Sequence, residues 1–113
     1  MLFGALGAFT VVALAGVLLA LDVFKGIGSS KQFALAHAGV ALLGSLLVIL
    51  AALGGDNRVW TNIGLAVVII GLGITISFKR AKGEHPKGLV AAHGGLAVIC
   101  YLILAYYTFT PAA

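Results

Sequence analysis

The chain reads as an all-α integral membrane protein, a four-helix up-down-up-down bundle built from two repeated helix pairs. Three observations predict this. The first is composition: 62% of the 113 residues are hydrophobic and only 9% are charged. Soluble domains carry roughly 25% charged residues, so this chain has too little polar surface to coat a particle in water, and its solvent is lipid. The second is length, because four apolar stretches each reach the ~20 residues that a helix needs to cross a bilayer. The third is an internal repeat, which is sought before any finer reading. Lys31-Gln32-Phe33-Ala34-Leu35-Ala36-His37-Ala38-Gly39-Val40-Ala41 is answered by Lys87-Gly88-Leu89-Val90-Ala91-Ala92-His93-Gly94-Gly95-Leu96-Ala97. Both read Lys, five residues, His, any residue, Gly, any residue, Ala. The preceding segments also match, each being expected to end in Phe-Lys, at Phe24-Lys25 and Phe78-Lys79.

The first span covers residues 2–24, apolar apart from Thr10 and Asp22. No Lys or Arg precedes it and its apolar run exceeds that of a typical signal peptide, so it is expected to be a mature transmembrane helix. Gly4, Gly7 and Gly16 narrow it for neighbouring helices or a flat ligand. Lys25-Gly26-Ile27-Gly28-Ser29-Ser30-Lys31 has the glycine and serine content of a turn. The second span, 33–54, contains His37 and ends at the turn Gly55-Asp56-Asn57-Arg58. Trp60 then suits the interfacial aromatic belt and opens the third span, 60–78, with Gly64, Gly71 and Gly73. Lys79 to Lys87 is the most charged connection. The fourth span, 88–109, contains His93 and closes on Tyr106-Tyr107-Thr108-Phe109, a second aromatic anchor. Connections this short allow only antiparallel neighbours, and the chain is one domain over residues 1–113.

Charge predicts orientation. Lys25, Lys31, Lys79, Arg80, Lys82 and Lys87 lie in or beside the first and third connections, and Arg58 alone lies opposite, beside Asp56. The positive-inside rule places the first and third connections in the cytoplasm and both termini outside. A multi-pass protein of a bacterial cytoplasmic membrane is the expected location. The basic residues are interrupted by apolar spans and form no continuous basic face, which excludes nucleic acid as a partner. The lone Cys100 has no CxxC companion and reads as a small helix residue. No phosphate-binding glycine loop, His-Glu-x-x-His or carboxylate pair occurs, and Ser45 and Thr75 have no evident base beside them. An independent enzyme is therefore not expected.

The second and fourth helices run in the same direction. His37 and His93 each lie six residues beyond a lysine, roughly 9 Å deeper along the helix, so they share one depth within the cytoplasmic half of the hydrocarbon. An ionisable side chain there is costly and faces the bundle interior. Two neutral imidazoles at equal depth on facing helices form a pair of candidate axial ligands, since neutral imidazole is a natural ligand for haem iron. Small residues surround both: Ala36, Ala38, Gly39 and Ala41 near one, Ala92, Gly94, Gly95 and Ala97 near the other. Gly71 and Gly73 on the third helix lie close to that depth, and Lys31, Lys79, Arg80 or Lys87 are placed to meet haem propionates.

With this doubled Lys-x5-His-x-Gly-x-Ala motif the chain resembles the transmembrane b-type cytochromes, in which histidines on facing helices of a four-helix bundle hold haem b. The resemblance implies one bis-histidine haem b per chain, since the first and third helices have no histidine. It also implies an electron-transfer role, as a membrane carrier or as a subunit of a larger membrane redox complex. The implied site is His37 and His93 on the iron, with Gly39, Gly95, Gly71, Lys31, Lys87 and Arg80 around the ring. A glycine-rich face with Gly4, Gly7, Gly64 and Gly71 points to association with a larger subunit or a second copy. The alternative is a haem-free accessory subunit whose histidines are interhelical hydrogen-bond donors. A proton or metal path is the weakest reading, because Asp22, the only carboxylate in a span, lies near the interface, where Lys25 is its expected neighbour. His85 reads as a solvated loop residue.

Overall fold

The computed structural model describes residues 1–112, so Ala113 lies outside it. Four helices run antiparallel in chain order: α1, Leu2–Lys25; α2, Lys31–Leu53; α3, Trp60–Ala81; and α4, Lys87–Phe109. A single 3-10 turn, Asn57–Val59, leads into α3. Among the described residues there is no strand, and all four helices are long and apolar enough to cross a membrane. The bundle measures 47 × 23 × 19 Å, longer than the roughly 30 Å hydrocarbon core of a bilayer. Large apolar side chains such as Leu14, Val17, Leu42, Val67, Ile74, Val98 and Leu102 are exposed along its sides. This is a multi-pass membrane protein in contact with the lipid bilayer.

The helices start and stop for local reasons. Ser30 caps α2, its Oγ accepting from the Phe33 amide at 3.3 Å. Gly26 and Gly83 take left-handed φ values of 72° and 79°, which glycine adopts without a Cβ penalty. Each ends its helix with the same pair of bonds: Gly26 N to Val23 O and Ile27 N to Asp22 O, then Gly83 N to Arg80 O and Glu84 N to Lys79 O. α3 therefore runs three residues beyond the expected end at 78, and Lys79 and Arg80 belong to its last turn. Cations are favoured there because the helix dipole leaves its carbonyl end negative.

The caps also correct the repeat register. Lys25-Gly26 corresponds to Lys82-Gly83, an offset of 57, whereas Phe24-Lys25 and Phe78-Lys79 are offset by 54 and occupy different turns. At the 57-residue offset α3 repeats α1. At an offset of 56 α4 repeats α2, matching Lys31 to Lys87, His37 to His93, and the buried Val48 to the buried Leu104.

The tightest packing lies at the end away from the basic loops, where Ala5, Val48, Ala52, Val59 and Leu104 form the core. In the histidine half Val23 is the one buried hydrophobic residue among those described. α1 packs against α2 and α4, and α3 against α4, while α2 and α3 approach each other far less. The α1–α4 seam is closed by a 2.7 Å hydrogen bond between Thr10 and Tyr101 and by an edge-to-face pair of Phe3 and Phe109. The repeat equivalents across α2–α3, Val67 with Ser45 and Trp60 with Leu53, make no such links: Val67, Trp60 and Leu53 are exposed and Ser45 bonds its own helix. Repeated sequence thus yields unequal seams.

Candidate functional site

His37 and His93 come from the diagonal helices α2 and α4, which have no Cα atoms within 8 Å of each other. Their rings nevertheless meet across the bundle, with centroids 6.4 Å apart and planes inclined at 58°. Each ring is held by the helix that precedes its own. His37 Nδ1 is 3.0 Å from the Val12 carbonyl oxygen, and His93 Nδ1 is 2.8 Å from that of Ile69. An Nδ1 facing a carbonyl carries the proton in neutral imidazole, which leaves Nε2 with the lone pair. Neither Nε2 has a hydrogen-bond partner, and neither is sealed against protein.

Glycine makes this approach possible. A Cβ on Gly16 would lie 3.1 Å from His37 Cε1, and one on Gly73 would lie 3.1 Å from His93 Cε1. Val12 and Gly16 are the 57-offset counterparts of Ile69 and Gly73. Carbonyl, glycine and histidine therefore recur as one unit in both halves of the chain.

The other residues expected at the site lie elsewhere. Gly39 and Gly95 sit two residues past their histidines, about 200° round the helix. Both are exposed, with nothing within 4 Å of a built Cβ. Gly71, two residues from both Ile69 and Gly73, is likewise exposed and unopposed. The glycines that touch the rings are Gly16 and Gly73. Both lie at the depth of the histidines, and helical angle was the signal that separates them from their neighbours.

Lys31 and Lys87 are exposed in the first turns of α2 and α4. Arg80 is engaged: its Nη2 donates to Ile27 O at 2.9 Å and Ser29 Oγ at 2.8 Å, and its Nη1 to His85 Nδ1 at 3.0 Å. Ser29 in turn donates to Asp22 Oδ2 at 2.8 Å. Asp22 is thus tied to Ser29 rather than to Lys25, because the left-handed cap at Gly26 folds the loop back over the end of α1. The chain Asp22–Ser29–Arg80–His85 fastens the two basic loops together. At the opposite end Arg58 forms a two-toothed pair with Asp56, with both N···O distances at 2.9 Å, and donates to the carbonyls of Thr110 and Tyr107. Arg58's hydrogen bond holds the Asp56 carboxyl below its usual pKa.

The donor set tests what the histidines can hold. Among the described residues no third His, Cys, Asp or Glu joins them. Bare zinc takes about four protein or water donors, so two imidazoles alone do not make a zinc site. They suit a metal that brings its own equatorial ligands, as haem iron does. The two ring centroids are 6.4 Å apart. No family model, curated protein or solved structure matches the chain.

Proposed function

We propose that this protein is a membrane-embedded b-type cytochrome that carries electrons through one haem b held between His37 and His93. The observation that carries the reading is the 6.4 Å separation of two imidazoles whose Nδ1 atoms are both committed to backbone carbonyls. When bound, the haem supplies one-electron redox chemistry. The chain's own residues do the rest. The Val12 and Ile69 carbonyls fix the tautomer and leave each Nε2 with its lone pair, a partnership that also raises ligand basicity. Gly16 and Gly73 let the rings lie against α1 and α3. The apolar walls keep the site at low dielectric, where the protein's task is position and electrostatics. The histidine half is the less closely packed end of the bundle.

In this reading the basic end faces the cytoplasm, both termini face outside, and Lys31 and Lys87 are the exposed cations for propionates or for an acidic partner. The chain serves as a subunit of a larger membrane redox complex or as a homo-oligomer. One observation favours the haem-free accessory reading: bonds from both rings to neighbouring helices are also what packing histidines make. The absorption spectrum of the purified protein decides between them. A bis-histidine haem spectrum is expected in the wild type and in His85→Ala, and it should be lost in His37→Ala and in His93→Ala. A wild type without haem, or both site variants retaining the spectrum, would establish the accessory reading.

A further inference from the structure

The chain folds as two helical hairpins, α1–α2 and α3–α4, and most of its side-chain hydrogen bonds stay inside one or the other. His37 reaches Val12 within the first hairpin, and His93 reaches Ile69 and Asn62 reaches Cys100 within the second. Among the described residues, only two side chains of one hairpin hydrogen-bond the other: Tyr101, to Thr10, and Arg80, to the α1–α2 loop. Thr10 lies between Ala5 of the core and Gly16 at the level of the histidines. Arg80 lies beyond the histidines, in the half where Val23 is the one buried hydrophobic residue among those described. At that end the hairpins are joined by a guanidinium more than by a core.

Position gives Arg80 leverage over the histidines. It follows Gly73 by seven residues, almost two whole turns, so both lie on one face of α3, with Arg80 roughly 10 Å nearer the loops. Gly73 is the glycine against the His93 ring. At the 57-residue offset the counterpart of Arg80 in α1 is the buried Val23. One repeat fills this level with a valine, the other with a guanidinium that needs acceptors. Arg80 Nη2 finds two across the hairpins, Ile27 O at 2.9 Å and Ser29 Oγ at 2.8 Å, and Nη1 finds His85 Nδ1 at 3.0 Å in its own hairpin. His37 belongs to one hairpin and His93 to the other, so whatever joins the hairpins here bears on the spacing of the two rings.

The contact with His85 makes this junction sensitive to protons. A guanidinium only donates, so His85 Nδ1 holds its lone pair and the ring is neutral. His85 is exposed, and imidazole is the side chain that takes up charge between about pH 8 and pH 5. The Lys87 amide donates to the His85 carbonyl at 2.9 Å, which fixes the backbone beneath the ring. A proton on Nδ1 removes the acceptor and sets a second cation against Arg80, and like charges that close repel. The carboxylates nearby are engaged: Glu84 pairs with Lys79 at 3.8 Å and Asp22 accepts from Ser29 at 2.8 Å. Lys25, Lys31, Lys82 and Lys87 are further cations without an ion pair among the described residues.

We infer that Arg80 is a strap that holds the two hairpins together at the basic end, and that a proton on His85 releases it and lets the histidine half open. The inference needs no cofactor and does not rest on the haem reading. Spin labels on Gly28→Cys and Gly88→Cys, in a Cys100→Ser background of the full chain in detergent, report the distance between the hairpins by double electron–electron resonance. Both glycines are exposed, with nothing within 4 Å of a built Cβ. The labelled background should give one short, narrow distance at about pH 8 and a longer, broader one at about pH 5. Arg80→Ala should give the long distribution at both, and so should Arg80→Lys, which keeps the charge without the fork. His85→Asn, whose amide oxygen accepts but takes no proton, should stay short at both. A distance unmoved by acid in the background, or a short one kept in both Arg80 variants, would overturn the inference. His37 and His93 are still present in His85→Asn, so an acid response there equal to that of the background would assign the opening to them and overturn it too.

Discussion

Four glycine-to-alanine substitutions, identical in chemistry, separate the residues that hold the histidines from those that merely adjoin them in sequence. Replacing Gly by Ala inside a helix stabilises it by about 1 kcal/mol through chain entropy alone. At Gly39 and Gly95 the new methyl meets nothing within 4 Å, so each substitution should deliver that full gain. At Gly16 and Gly73 the methyl would lie 3.1 Å from a histidine Cε1, inside the roughly 3.5–4.0 Å optimum for such contacts. The ring must retreat by a few tenths of an ångström, which stretches Nδ1···O bonds now at 3.0 and 2.8 Å. A weakened interhelical bond costs roughly 0.6 kcal/mol in a membrane protein, and the tight methyl–ring contact adds a few tenths of a kcal/mol in this less closely packed half, below the ~1 kcal/mol of overpacking in a dense core. The costs cancel the helical gain, so Gly16→Ala and Gly73→Ala should be neutral to destabilising. The difference between the two pairs is then about 1 kcal/mol per site and about 2 kcal/mol for the double variants if the sites add. Reversible unfolding in mild detergent, followed by circular dichroism, measures it. If Gly16→Ala with Gly73→Ala is as stabilising as Gly39→Ala with Gly95→Ala, the rings do not rest on α1 and α3, and the site geometry argued above is wrong.

Three further outcomes are expected. Asn62 is buried with its Oδ1 unpartnered, while its Nδ2 donates to the Cys100 carbonyl at 2.9 Å. Asn62→Leu removes an unsatisfied acceptor worth about 1–3 kcal/mol and loses a bond worth roughly 0.6 kcal/mol, so it should raise the melting temperature; a clear fall would refute this accounting. The Asp56 carboxyl titrates low because Arg58 donates to it, so its stabilisation is complete above the ordinary carboxylate pKa of about 3.9 and is lost as pH falls through the lower folded value. Melting temperature should therefore drop below about pH 4 in the wild type, and Asp56→Asn should flatten that drop; an equally steep profile in the variant would assign it to other groups. For topology, in a Cys100→Ser background, a cysteine at Gly83 should resist an impermeant thiol reagent added outside intact cells and one at Ala112 should react, and the reverse pattern would invert the assigned orientation.

Much of this architecture was legible in one dimension. Hydropathy marks four spans because a bilayer demands about 20 apolar residues in succession, and the observed helices begin and end within three residues of the expected limits. The shared depth of His37 and His93 was equally legible, since helical rise is constant and each lies six residues beyond a lysine. Even the outward direction of Gly39 and Gly95 was implicit, because a residue two positions on points to the opposite side of a helix. Adjacency along the chain does not carry over into space: Gly39 and Gly95 stand two residues from a histidine in sequence and face away from it.

The sequence by itself determined the number of spans, their alternating direction and the level at which two imidazoles enter the hydrocarbon, because these depend on transfer from water to lipid and on the helical repeat. Only the tertiary structure decided what each ring touches. The Val12 and Ile69 carbonyls, Gly16 and Gly73 lie twenty or more residues from their histidines and reach them through the rotation of α1 and α3. Tertiary structure also decided that the α1–α4 seam closes while α2–α3 stays looser, and that Arg80 fastens the two basic loops together. Helix rotation and the choice of neighbour are set by side-chain packing between helices, and no local pattern along the chain encodes them.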